Sequence, residues 1–145
     1  MSSPLPKPPR RLPKAHKRLR WHVSENPMKE LRREADRLCG LIVRSRGGCE
    51  YAPCGARTDL QWAHIFTRGY HKIRWDEDAA LCLCRRHHCF FTYRPLAWLE
   101  WLSEKLGPAK LDELRFRAQV GPKADRHFIS LRIVALRARC RELGI

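Results

Sequence analysis

Residues Leu81 to Phe91 read L-C-L-C-R-R-H-H-C-F-F. They carry five potential metal ligands: Cys82, Cys84, His87, His88 and Cys89. One tetrahedral zinc takes four ligands, and a closed structural site draws them from two separated segments. The second segment is Cys49-x4-Cys54, which precedes Cys84-x2-His87 by thirty residues, counted from Cys54 to Cys84. Two short pairs closing around one ion are the usual pattern of structural zinc. Around them the chain has few large aliphatic residues. A zinc staple, at about 10–16 kcal/mol in small zinc peptides, can supply what such a core lacks. The competing reading is a set of free buried thiols. Cys39 and Cys140 have no partner in sequence and read as core residues. Cys82 is the main rival ligand, because in a strand it shares a face with Cys84. Cys89 is the second rival. If a helix begins at Arg85, His87 and His88 project about 100° apart. That angle makes one shared ion difficult and leaves His88 open either to a second site or to a structural role.

The composition narrows the partner. Among 145 residues, thirty Lys and Arg oppose fifteen Asp and Glu, a formal charge of +15. That imbalance points to a polyanion, with nucleic acid first and an anionic membrane surface second. No apolar run approaches the roughly 18 residues that span a bilayer. The start, M-S-S-P-L-P-K-P-P-R-R, has no apolar signal region. Five of the seven cysteines lie between Cys49 and Cys89, which fits reduced thiols and a metal better than disulfides. The expected location is a cytoplasm.

The chain divides into four parts. Residues 1–25 hold five prolines and seven Lys or Arg, with no acidic residue before Glu25. This composition predicts a disordered basic arm. Seven phosphate contacts would give a log–log salt slope of about −6 on duplex DNA. Residues 26–48 read as a helix: Asn26 caps it, Pro27 opens it, and Leu31, Ala35, Leu38, Ile42 and Val43 recur at helical spacing before Gly47-Gly48. Residues 49–93 form the Cys- and His-rich module. Residues 94–145 return to helices. Leu96, Trp98, Leu99 and Leu102 form one stripe; Leu111, Leu114 and Ala118 form another. After Asp125 as N-cap come Phe128, Leu131, Val134, Leu136 and Leu143. Apolar residues on more than one side of this last helix (Leu131, Ile133, Val134, Leu136) leave core packing and a homodimer face both open.

A second constellation lies at residues 60–79, L-Q-W-A-H-I-F-T-R-G-Y-H-K-I-R-W-D-E-D-A. His64 is followed by Arg68, His71, Lys72 and Arg74. A histidine near neutrality can take a proton from water. Arginines can hold a phosphate, and a divalent cation can stabilise its transition state. Phosphodiester hydrolysis needs that combination.

The order C-x4-C, A-H-I-F-T-R, then R-W-D-x-D-A-A-L-C-L-C-x2-H-H resembles the HNH endonucleases, also called His-Me finger or ββα-metal nucleases. It is most similar to the zinc-bound phage recombination nucleases of the NinG/Rap type, over about residues 49–92. The resemblance implies an α+β fold: a zinc-stapled β-hairpin and helix, flanked by further helices. It implies His64 as general base and His88 as ligand of a catalytic Mg²⁺ or Mn²⁺. Cys49, Cys54, Cys84 and His87 correspond to the structural Zn²⁺ ligands. Arg68, Lys72 and Arg74 would contact phosphates of duplex or branched DNA. A phage-encoded chain would act in the host cytoplasm.

Two positions depart from the family pattern. The Asn that orients the base histidine falls on Ala79, with Asp78 or Glu77 as substitutes. The residue before the base is Ala63, which leaves His71 and Asp76 as candidates for a second metal ligand. A zinc-stabilised DNA-binding protein without catalysis is therefore the alternative to an endonuclease. A zinc module in a protein assembly comes third.

Overall fold

Strand β2 (Ala80–Cys84) is buried at all five positions. It pairs antiparallel with β1 (Leu60–His64), placing Leu60 opposite Cys84 and His64 opposite Ala80. The computed structural model describes residues 26–145; the predicted basic arm lies outside them. Among the described residues the fold is α+β, with one two-stranded hairpin and five α-helices. In chain order these are α1 (Pro27–Arg44), α2 (Arg85–Thr92), α3 (Pro95–Leu106), α4 (Pro108–Val120) and α5 (Arg126–Leu143). A 3-10 turn at Glu77–Ala79 leads into β2.

The hairpin forms the middle layer. Successive side chains of a strand point to opposite faces. Ala80 and Cys82 of β2, with Trp62 of β1, join a cluster built on α1 and α5. Leu81 and Leu83, with Ala63, join a second cluster built on α2, α3 and α4. The run A-L-C-L-C is apolar throughout because both of its faces are covered.

Local chemistry sets the outer helices. The Asn26 side chain accepts a hydrogen bond from the Lys29 N–H at 3.2 Å, and Pro27 occupies the first turn of α1. Asp125 caps α5 in the same way, accepting from Phe128 N–H at 2.9 Å. Gly144 ends α5 at φ +69°, a conformation glycine reaches without Cβ strain. Among the described residues no helix is long and apolar enough to cross a membrane.

Two expected stripes are corrected. In α3, Leu96 and Leu99 are 74% and 51% exposed, while Trp98, Trp101 and Leu102 face the second cluster. In α5, Leu131 and Val134 are exposed, and Leu143 is exposed at the helix end. The buried face of α5 is Ile129, Ile133, Leu136 and Cys140, packed against α1. Both helices carry apolar residues on two sides, so periodicity alone selects the wrong one. Cys39 and Cys140 are core residues, as expected, and burial pushes the Cys39 thiol up to about 12.

Leu83→Ala removes a fully buried side chain from the layer under α2 and should cost about 2–5 kcal/mol in denaturant unfolding. Leu96→Ala should change stability by no more than about 0.5 kcal/mol. Equal losses would contradict the corrected α3 face.

Candidate metal centre and histidine cleft

The segment after α1 turns back on itself at Cys49–Ala56. Cys49 N–H donates to the Ala56 carbonyl at 2.8 Å, and Cys54 N–H donates to the Tyr51 carbonyl at 2.9 Å. Gly55 sits between them at φ +66°. This knuckle presents both cysteine sulfurs to the start of α2, where Cys84 is the N-cap and His87 lies in the first turn. Ligand atoms of Cys49, Cys54, Cys84 and His87 all lie within 4.8 Å of one another. The Cys54–Cys84 sulfurs are 3.8 Å apart. His87 Nδ1 is 3.6 Å from Cys49 Sγ and 3.3 Å from Cys84 Sγ. Tetrahedral zinc, with Zn–S of about 2.3 Å and Zn–N of about 2.0–2.1 Å, sets S···S edges of about 3.8 Å and S···N edges of about 3.6 Å. The donor set fits zinc in both chemistry and spacing, and the cluster could hold such a metal.

Electrostatics favour one thiolate at the helix start. Burial acts to raise the Cys84 thiol, but main-chain N–H groups of His87 and Arg86 and the neighbouring sulfurs outweigh it, and it lies below its ordinary value. The Cys49 thiol is raised, burial being the main cause. Cys84 therefore gives up its proton more readily than Cys49. Both rivals fall elsewhere. Cys82 is fully buried among α1 and α5 residues, and burial raises its thiol. Cys89 is exposed and outside the cluster.

Glu50 fastens the knuckle to the sheet. Its N–H donates to the Cys82 carbonyl at 2.8 Å, and its carboxylate accepts from Cys82 N–H at 2.9 Å and from Arg46 at 2.7 Å. The Tyr51 ring packs 4.4 Å from His87 and 5.4 Å from Phe91 and Trp101, tying the site to α2 and α3.

His88 turns away from the cluster. It lines a cavity of about 220 Å³ with Ala63, His64, Leu83, Thr92 and Trp98. His64, at the end of β1, also lines the adjoining groove with Trp62, Arg68 and His88. The His88 Nδ1 is 2.6 Å from Gln61 Oε1, which accepts its proton and leaves Nε2 as the free donor atom for a ligand. Sequence reading missed Gln61. The available signal was its place on β1, where the register sets it beside the β2–α2 junction.

His64 is half-buried, with its ring 4.0 Å from Trp62. Burial, then Arg68 and Arg74, push its pKa down to about 4, although a hydrogen bond with the Arg74 main chain works the other way. Its Nε2 is buried and has no hydrogen-bond partner among the described residues. Burial and Arg68 also lower His88.

No family model, curated protein or solved structure matches this chain.

The other candidate residues separate into groups. Arg68 is exposed beside the histidine cleft, 5.8 Å over the Trp62 ring. Arg74 is already engaged: its guanidinium donates twice to Asp36 of α1, at 3.0 and 2.6 Å. Lys72 donates to the Gln119 carbonyl of α4. Asp76 is buried and paired with Arg117 and Arg132. Asp78 pairs with Lys110 and Arg117. These two aspartates line a separate cavity with Glu77 and Arg139, so the structure does not bring them to His64 or His88. His71 is half-buried on the loop before Arg74 and joins no group of three metal-ligand side chains among the described residues. Ala79 is buried in the second cluster, and its carbonyl accepts from Ile65 N–H at 3.0 Å.

Metal analysis should find one zinc per chain. Cys84→Ala should lose it, whereas Cys82→Ala and Cys89→Ala should keep it. Zinc retained in Cys84→Ala would show a different ligand set.

Proposed function

We propose that this chain is a metal-dependent DNA endonuclease of the HNH, or ββα-metal, type. The observation that carries this reading is the pairing of His64 and His88 in one cleft, beside a separate Cys3His cluster one residue away. The formal charge of +15 supplies the attraction for a nucleic-acid backbone.

In this reading His64 is the general base. Its depressed pKa keeps the imidazole neutral at neutral pH, and the unpartnered Nε2 is available to a water that enters with substrate. The Ala79 side chain offers no hydrogen bond that would orient the ring. Arg68 lies within electrostatic reach of both histidines and supplies a guanidinium fork for the phosphate. His88, aligned by Gln61, would hold a divalent cation such as Mg²⁺ or Mn²⁺; when bound, that cation supplies charge neutralisation on the phosphorane and the leaving oxygen. Arg74, Lys72, Asp76 and Asp78 act as scaffold, through the partners described above. Recombining or branched DNA is the substrate class that the resemblance suggests.

A second reading is a zinc-stabilised DNA-binding protein without catalysis. Two observations favour it: Ala79 in place of an amide side chain, and the enclosure of His64 Nε2.

Supercoiled plasmid and a four-way junction, each with Mg²⁺ or Mn²⁺, distinguish the two. Wild type should nick, and His64→Ala should lose at least about a hundredfold in rate. Nicking that survives in His64→Ala sinks the base assignment; binding without cutting in both proteins favours the second reading. The pH profile is a further check. The base must be neutral, and burial stabilises the neutral form, so the acid limb of kcat/KM should lie near 4. A limb near the ordinary histidine value of about 6.5 would contradict the assigned environment.

A further inference from the structure

The groove that adjoins the histidine cleft has a lining unlike that of the other cavities. The cavity around Asp76 carries the carboxylates of Asp76, Glu77, Asp78 and Glu142, and the groove between α1 and α5 carries Glu30 and Glu34. The groove beside His64 has a volume of about 570 Å³, and among the described residues no carboxylate lines it. Trp62, Phe66, Tyr70 and Trp98 give it aromatic walls, and Arg68 stands among them. It shares His64, His88, Thr92 and Trp98 with the cleft cavity, so the two spaces adjoin.

One turn after β1 supplies three of these side chains. Ile65 is buried, and its N–H donates to the Ala79 carbonyl at 3.0 Å, which pins the chain as it leaves β1. The chain then reverses, and Tyr70 N–H donates to the Thr67 carbonyl at 3.0 Å. The Phe66 and Tyr70 rings meet edge-on, with centroids 5.8 Å apart at 61°. Phe66 packs on the second core cluster, whereas Tyr70 is 46% exposed. Between them in sequence, Arg68 is exposed and lies 5.8 Å over the Trp62 ring. From α3, Trp98 Nε1 donates to the Ile65 carbonyl at 3.4 Å and ties that helix to the turn. An accessible ring braced by a second ring, beside a guanidinium and away from carboxylates, suits a base and its phosphate together.

We propose that this groove is a subsite for one unpaired nucleobase, stacked on Tyr70, of the DNA strand whose phosphate lies at the cleft. The proposal rests on the reading of this chain as a protein that handles DNA. Every base has a π face, and one base–aromatic stack is worth roughly 5- to 150-fold in affinity. A base inside a continuous duplex is already stacked and paired, and extracting it costs a factor of the same order. The gain therefore survives only where the nucleotide beside the cleft has no pairing partner. Arg68, two residues before Tyr70, meets the phosphate that carries the base. Stacking reads no base edge, so the subsite adds a preference for a single-stranded segment without a sequence preference.

DNA binding, measured apart from cleavage with the full chain and no added divalent metal, tests this. The probes are a fluorescent duplex, the same duplex with a short single-stranded gap, and that gap with abasic residues in place of its nucleotides. Wild type should bind the gap roughly tenfold more tightly than either the duplex or the abasic gap. Tyr70→Ala should lose that preference while its duplex affinity and salt slope stay unchanged, because a ring releases no counterion. Tyr70→Phe should keep the preference. Arg68→Ala should instead weaken binding to all three probes and lower the log–log salt slope on the duplex by about 0.9. Zinc content and melting temperature control for folding, and the Tyr70 variants should match wild type in both. Equal affinity for duplex and gap, or a gap preference that survives in Tyr70→Ala or with the abasic probe, would overturn the subsite even if the wild type cuts DNA. If the preference depends on Tyr70 but the wild type never cuts, the subsite stands and the nuclease reading falls. If Tyr70→Ala changes only the oligomeric state, a second copy of the chain covers the groove and the proposal falls.

Discussion

The contact on which the rest of the site depends is the approach of the Cys49–Cys54 knuckle to the first turn of α2. Apart from chain continuity into β1, residues 45–59 are tied to the hairpin by hydrogen bonds of Glu50 with Cys82 and of Arg46 with the Ala80 carbonyl. A metal held by these four donors, which lie within 4.8 Å of one another, would convert the loop into a fixed corner. Coordination energies of about 10 kcal/mol or more exceed the entire net stability of many small domains. The corner also sets the start of α2, because Cys84 is at once the last strand residue, the N-cap and a member of the candidate metal cluster. Fixing Cys84 and His87 fixes the helical phase, and helical phase decides where His88 points.

The hairpin carries that phase into both cores. Its two strands are too few to be stable alone, and they are covered on each face by helices. Long-range polar ties hold the layers in register: Asp36 with Arg74 and Trp75 on one side, and Asp76 with Arg117 and Arg132 between the loop, α4 and α5. Breaking one partner of the buried Asp76 group would leave an uncompensated charge, which costs more than the pair contributes. The same ties occupy Arg74 and Asp76, and Lys110 and Arg117 occupy Asp78 in the cavity apart from His64 and His88.

Much of this was legible in the sequence where the signal was local. Asn26 and Asp125 were recognisable as caps because N-cap chemistry acts over three residues. The four clustered ligands were recognisable because two short pairs with metal spacing leave few ways to close one tetrahedron. The α3 and α5 stripes were misread for a physical reason. Leu96 and Leu99 compete with Trp98 and Trp101, and Leu131 and Val134 compete with Ile129 and Ile133; each helix carries two plausible apolar faces. The site's polar geometry was illegible for another reason. Gln61 with His88, Asp36 with Arg74 and Arg132 with Asp76 join residues far apart in the chain, and no local rule pairs them.

The central claim is that His87 and His88, adjacent in sequence, serve two separate sites. Zinc content and plasmid nicking of His88→Ala, measured on the same preparation, test it most directly. If the two histidines serve separate sites, His88→Ala keeps one zinc per chain and a wild-type melting temperature but does not nick. Loss of zinc would place His88 in the structural cluster, and undiminished nicking would remove it from the cleft's chemistry; either result contradicts the account.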